Sequence, residues 1–224
     1  MFRQLFTALT SESTVKRAFD DLTEMLERAA WMFERANDVI HGRVKAEEVR
    51  DPIYDHDAAI NDLERSIRRK VMRHLTVNPG HDVGICLALM SVAKDAERIG
   101  DYCKNVFEVG RLYSEGFHFP EYHEPLQHIA RQNTEMFALV TEACRNSDEQ
   151  RARRALQSAT VIRRQCDRII EDLFKDEAKI AFHEAVAISL LARHYKRVTA
   201  HLSNIATAVL GRLEDLDFYP EPKS

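Results

Sequence analysis

Val15, Phe19, Leu22, Leu26, Ala29, Phe33, Ala36 and Ile40 follow one another in alternating steps of four and three. A helix turns once in about 3.6 residues, so this spacing draws one narrow apolar stripe along a helix face. Such a stripe is the seam of a helical bundle and has no use in a strand, where faces alternate every two residues. A second stripe, Ile53, Ile60, Leu63, Ile67 and Val71, follows Pro52 and stops before Asn78-Pro79-Gly80, a strong breaker. A third begins near Asp82, a residue type suited to an N-cap, and runs through Ile85, Leu89, Val92, Ala96, Ile99, Cys103 and Val106.

Glu115–Pro125 holds a glycine and two prolines and reads as a linker. Beyond it the plan repeats. Leu126, Ile129, Phe137, Val140 and Cys144 mark a fourth helix. Leu156, Ile162, Ile169, Leu173 and Ile180 mark a fifth, and Val186, Ile188, Leu191, Val198, Leu202, Ile205 and Val209 a sixth. Short matches link the halves. Thr23-Glu24-Met25 returns as Thr134-Glu135-Met136, and Asp57 with Ile60 and Leu63 returns as Asp167 with Ile170 and Leu173, both roughly 110 residues on. Ala93, Arg98 and Asn105 return as Ala192, Arg197 and Asn204, about 99 residues on. The expectation is an all-α fold of six long helices, arranged as two tandem three-helix bundles over residues 12–115 and 122–214.

Composition agrees. Charged residues are 30% of the chain, with only 7 Gly and 6 Pro, which suits long amphipathic helices. A formal net charge of −4 argues against a general nucleic-acid binder. Cys86, Cys103, Cys144 and Cys166 form no C-x-x-C pair and lie in apolar stretches, so they read as reduced core residues. The longest apolar runs are too short to span a bilayer, and no signal-peptide h-region is present, which points to a cytoplasmic protein. Met1–Leu9, with Phe2, Leu5, Phe6 and Leu9, is amphipathic; it reads either as a contact for a partner subunit or membrane surface, or as a frayed extension of the first helix.

Polar positions on the second and third helices carry the chemistry. Glu97, Asp101, Lys104 and Glu108 share one stripe of the third helix. Asp57, Asn61 and Glu64, with Arg68 following, share one of the second. On spacing alone a solvated charged face explains both stripes as well as a cation site does. Two carboxylates roughly 6 Å apart repel by about 0.7 kcal/mol in water-like screening. Several such pairs, from two helices brought together, would be relieved by a hard cation, for which carboxylate and amide oxygens are suitable ligands.

Ala96-Glu97-Arg98-Ile99-Gly100-Asp101, followed by Asn105 and Glu108, resembles the PhoU family signature E-R-I-G-D-H-x-x-N-I-x-E. Asp57, Ile60, Asn61, Leu63 and Glu64 resemble the pattern D-x-x-I-N-x-L-E of the preceding helix. The likeness spans residues 12–214, nearly the whole chain. It implies a regulator of phosphate uptake that acts by contact with a phosphate ABC transporter, a sensor histidine kinase, or both. It implies peripheral membrane association through those partners, and it is compatible with a homodimer. It also implies a metal ion, of the iron, zinc, manganese or magnesium kind, at Glu97 and Asp101, with Asp57, Asn61 and Glu64 contributing.

The second repeat departs from the pattern. Lys196 stands where Glu97 would, Ala200 where Asp101 would, and Thr207 where Glu108 would. An ammonium repels a cation and a methyl offers it nothing, so one metal site or cluster is expected, in the first repeat only. Lys196 is expected to neutralise Asp167 or Glu171 instead. The departure also leaves open a second reading, a cytoplasmic adaptor of another ion transporter without a phosphate-sensing role.

An enzyme is not expected. The chain lacks G-x-x-x-x-G-K-[ST], G-x-G-x-x-G and G-x-S-x-G. Glu115-x-x-His118 lies in the linker, where it cannot serve a ferritin-like di-iron bundle. A metal-dependent hydrolase built on the helix-two and helix-three acids would need an open, water-bearing coordination position and a base. Gly100, inside a helix, points to a close helix approach. Trp31, one position past the seam, reads as core or interface.

Overall fold

The computed structural model describes residues 14–175 and 180–218; the Met1–Leu9 segment lies outside them. Among the described residues there are six long helices and no strand: α1 (Thr14–Ile40), α2 (Ala46–Val77), α3 (Val83–Leu112), α4 (Pro120–Asn146), α5 (Glu149–Lys175) and α6 (Phe182–Val209). A short 3₁₀ turn, Leu213–Asp215, follows. The all-α expectation of two helical trios holds. No described helix is long and apolar enough to cross a membrane.

Two helix starts fall earlier than the sequence suggests. α2 opens at Ala46 with Pro52 inside it, and α4 opens at Pro120 with Pro125 inside it. An interior proline loses a hydrogen bond and costs about 3 kcal/mol, which is why each reads as a boundary. Here apolar residues upstream of each proline reward the extra turns. Val49 is buried ahead of Pro52, and Tyr122 ahead of Pro125. Pro120 sits at the start of its helix, where its missing N–H is no loss. At the other boundary Ile180 lies in the connection ahead of α6 rather than on α5.

Asp82 does precede α3, but in left-handed conformation (φ 55°) and without capping through its side chain; its carboxylate lies 3.1 Å from Nε2 of His74. The turn between α4 and α5 is tight. Ser147 is left-handed (φ 50°), and Asp148 accepts from the backbone N–H of Arg151 at 3.0 Å, an N-cap for α5.

The apolar stripes close on one continuous core shared by both repeats. Phe33 of α1 packs against Phe137 of α4 and Tyr195 of α6, each with ring centroids 5.5 Å apart. The buried hydroxyl of Tyr195 donates to Asn37 Oδ1, and that of Thr199 to Asn133 Oδ1 at 2.8 Å. All four cysteines are free and buried, as expected. Burial pushes the Cys144 and Cys166 thiols up to about 12. Trp31 is partly buried and stacks on His56 of α2 at 4.3 Å.

Candidate functional site

α2 and α3 form an antiparallel pair in close contact at Gly100. A Cβ there would lie 3.0 Å from Cδ1 of Ile60. This approach brings the two polar stripes flanking it within reach of each other. Asp57 and Glu64 from α2 face Glu97, Asp101 and Lys104 from α3.

Lys104 organises the face. Its ammonium lies 2.8 Å from Oδ2 of Asp57 and 3.3 Å from Oδ1 of Asp101, joining the two helices. Arg98 reaches the other Asp101 oxygen at 3.2 Å, and its Nε stands 3.6 Å from Glu97. Arg68 pairs with Glu64 at 2.6 Å along α2. At one end Tyr54 donates its hydroxyl to Glu108, which also pairs with Arg111 at 2.6 Å. Asn61 is half-buried on the same side of α2 and makes no side-chain hydrogen bond among the described residues.

The electrostatics follow from this arrangement. Burial lowers the Lys104 pKa, but the hydrogen bond and charge of Asp57, then Asp101, outweigh it and hold the ammonium above its ordinary value. Glu97 has no such partner. Burial first, then the charge of Asp101, raise its pKa; Arg98 opposes, and Glu64 and Asp57 add to the rise. Tyr54, through its hydrogen bond, lowers Glu108. Five carboxylates therefore share a face with four cations, and Glu97 is the acid least compensated.

Among the described residues no three or more His, Cys, Asp or Glu side chains stand in an arrangement ready to hold a metal ion. The Lys104 ammonium holds the position between Asp57 and Asp101. The donor chemistry itself, carboxylates plus the Asn61 amide, suits a hard cation. Its least compensated member is Glu97, so such a cation would be drawn toward Glu97 and would compete with Lys104.

In the second repeat Lys196 lies 2.5 Å from Asp167, the pairing expected for it, while Glu171 turns to Lys175 at 3.6 Å. The partners also correct the repeat register. Asp57 faces Asp101 and Lys104, whereas Asp167 faces Lys196, the counterpart of Glu97. Asp167 therefore stands at the level of Glu64, two turns from the level of Asp57. The buried faces agree: Ile53, Ile60 and Ile67 of α2 match Ala155, Ile162 and Ile169 of α5, so the helices correspond at about 102 residues rather than about 110. In this register Asp57, Asp101 and Lys104 become Ala159, Ala200 and Ser203. The second repeat has lost both acids at that level and the lysine that neutralises them.

One polar cluster was not anticipated. Asp95, almost fully buried, accepts from Nδ1 of His201 at 2.7 Å and from Nδ2 of Asn204 at 3.0 Å. Arg197 lies 3.3 Å from Nε2 of His201 and donates to the Tyr102 hydroxyl at 3.1 Å. Arginine can only donate, so Nε2 accepts and Nδ1 carries the proton given to Asp95. This cluster ties α3 to α6 across the repeats. The sequence carried only a weak signal: Asp95 sits at the edge of the apolar arc formed by Val92, Ala96 and Ile99.

Comparison with known proteins places this architecture. Phosphate-specific transport system accessory protein PhoU homolog from Xylella fastidiosa strain 9a5c is 26% identical over 214 residues, covering 93% of this chain and 89% of that one. The crystal structure of PhoU from Pseudomonas aeruginosa superposes with a TM-score of 0.74 at 21% identity, covering 89% of this chain and 98% of that one. The phosphate transport system regulatory protein PhoU from Streptococcus pneumoniae gives 0.71 at 17% identity, covering 91% and 97%. The family model described as the PhoU domain matches residues 22–109 and again 126–209. With one match in each helical trio, the chain belongs to the PhoU family.

Proposed function

We propose that this protein is a cytoplasmic regulator of phosphate uptake and phosphate-starvation signalling. It works by contact with a phosphate ABC transporter, its sensor kinase, or both, and reaches the membrane through them. The observation that carries this reading is the PhoU-domain match in both repeats, together with relatives described as accessory proteins of phosphate transport. The acid face of α2 and α3 supplies the regulatory ion site. Glu97, Asp101, Asp57, Glu64 and Asn61 bind a divalent or trivalent cation when Lys104 swings clear of Asp57. The ion removes the excess negative charge centred on Glu97 and locks α2 to α3. A pull-down from phosphate-replete cells is expected to recover the transporter or the kinase with the wild-type chain and much less with Glu97→Ala/Asp101→Ala. Equal recovery with both, in metal-loaded preparations, overturns the role given to the acid face. Recovery of neither partner overturns the reading itself.

The Lys196–Asp167 pair favours one variation. With its second repeat neutralised by its own lysine, the chain is also suited to serve as an adaptor of another ion transporter. Adjacent phosphate-transporter genes select the first reading and an unrelated transporter gene the second.

A further inference from the structure

A groove of about 320 Å³ lies between the last turns of α1 and the early turns of α4, lined by residues separate from the acid face of α2 and α3. Arg35, Arg43 and Arg131 line it, with Glu34, Asp38 and His41. Three guanidiniums against two carboxylates make this wall net positive on a chain whose formal net charge is −4. Asp38 is already divided: Arg35 holds one oxygen at 2.9 Å and Arg43 the other at 3.2 Å. Arg131 makes no ion pair among the described residues, and Nε of Arg35 is buried without a hydrogen-bond partner.

The groove's own histidine senses this charge. His41 Nδ1 lies 3.4 Å from Nε2 of His123 at the start of α4. Burial first, then the charges of Arg43 and His123, lower the His41 pKa to about 4; Asp38 opposes this and Arg131 adds to it.

The geometry points to a binding site for a tetrahedral oxyanion, either inorganic phosphate or the phosphoryl group of a phosphorylated side chain, held by Arg35, Arg43 and Arg131. Guanidinium forks match phosphate oxygens two at a time, and a groove edged by three of them surrounds such a group from several sides. The anion supplies the partner that Arg131 lacks. The site does not rest on the regulatory role above: it binds its oxyanion whichever transporter the chain serves.

The test follows the His41 ring by NMR in the full-length protein, titrated with inorganic phosphate in one arm and with a phosphoserine peptide in the other. Chloride at matched ionic strength is the control. A bound oxyanion beside His41 raises its titration midpoint saturably, by about one pH unit. Arg131 is exposed, so Arg131→Ala is expected to keep the thermal transition while weakening binding about tenfold. The arm that saturates at lower concentration names the source of the phosphoryl group. The proposal is overturned if neither ligand moves His41 beyond the chloride control, or if Arg131→Ala binds as tightly as the wild type.

Discussion

Glu97 is the acid that the α2–α3 face leaves least compensated, for its nearest cation is Arg98 at 3.6 Å while Asp57 and Glu64 have partners at 2.8 and 2.6 Å. Its raised pKa means that the folded chain takes up the proton more readily than the unfolded one. The stabilising contribution of that proton is complete below the unfolded value of 4.5 and disappears as pH rises through the folded value. Glu97→Gln is therefore expected to melt higher than the wild type near pH 7, by about 1–2 °C after solvent screening. The gap should close in mildly acidic buffer, and a variant that melts lower at neutral pH contradicts the assignment of excess charge. His41 runs the other way. Its folded pKa of about 4 lies below the unfolded 6.5, so its contribution is present above 6.5 and is lost as pH falls toward 4. His41→Gln should lose less stability than the wild type across that window, measured by thermal melts at matched ionic strength.

Lys104 links residue to element, since one ammonium fastens α3 to α2 through Asp57. Lys104→Met keeps the stem and removes the charge. The variant is expected to bind Mn²⁺ about tenfold more tightly by calorimetry, because a competing cation is gone. Without metal it should melt lower, because Asp57 and Asp101 then face each other unscreened. Unchanged affinity would mean that the ion and the lysine do not share a place. Gly100→Ala probes the same contact: the gain in helix propensity, about 1 kcal/mol, opposes a 3.0 Å contact with Ile60, whose side-chain tip can shift. A small net change in melting temperature is expected. At this scale the sequence was legible where periodicity decides and opaque where partners decide. Stripes such as Ile85 to Val106 marked each helix and its buried side. Periodicity also put Glu97, Asp101 and Lys104 on one face. It could not say that Lys104 would choose Asp57, because that choice depends on the depth at which α2 slides past α3. The same ambiguity misplaced Asp167 by about two turns: such a shift leaves an apolar stripe close to its side, and only contact between helices fixes the register. The prolines misled for a related reason. Pro52 and Pro125 are local breakers, overridden by the burial of Val49 and Tyr122, which no local rule reveals.

The molecule as a whole is joined by antiparallel packing of α3 on α6, visible in Asp95 meeting His201 and Asn204 while Tyr102 meets Arg197. Most of that interface is apolar, so the polar cluster must be complete to be tolerated. Asp95 is satisfied by two donors, and His201 by Asp95 on one nitrogen and Arg197 on the other. Asp95→Ala leaves the His201 Nδ1–H facing a cavity and takes one of two carboxylate partners from the Asn204 amide, which keeps Asp217 at 2.6 Å. Removing one member of such a buried set costs about 3–5 kcal/mol. In a chain of this size that lowers the melting temperature by about 6–20 °C. Asp95→Asn should lose less, since the amide oxygen can still accept from His201. The same logic predicts coupling. His201→Ala in the Asp95→Ala background should cost about 1–3 kcal/mol less than in the wild type, because its partner is already gone. The shape of the transition is the sharper test. Phe33, Phe137 and Tyr195 still fuse α1, α4 and α6 into one core in the variant. Asp95→Ala is therefore expected to unfold in one cooperative step, lower but undivided, by both calorimetry and circular dichroism. Two resolved transitions would mean that the repeats are separately stable bundles and that Asp95, rather than the shared aromatic core, makes them one body.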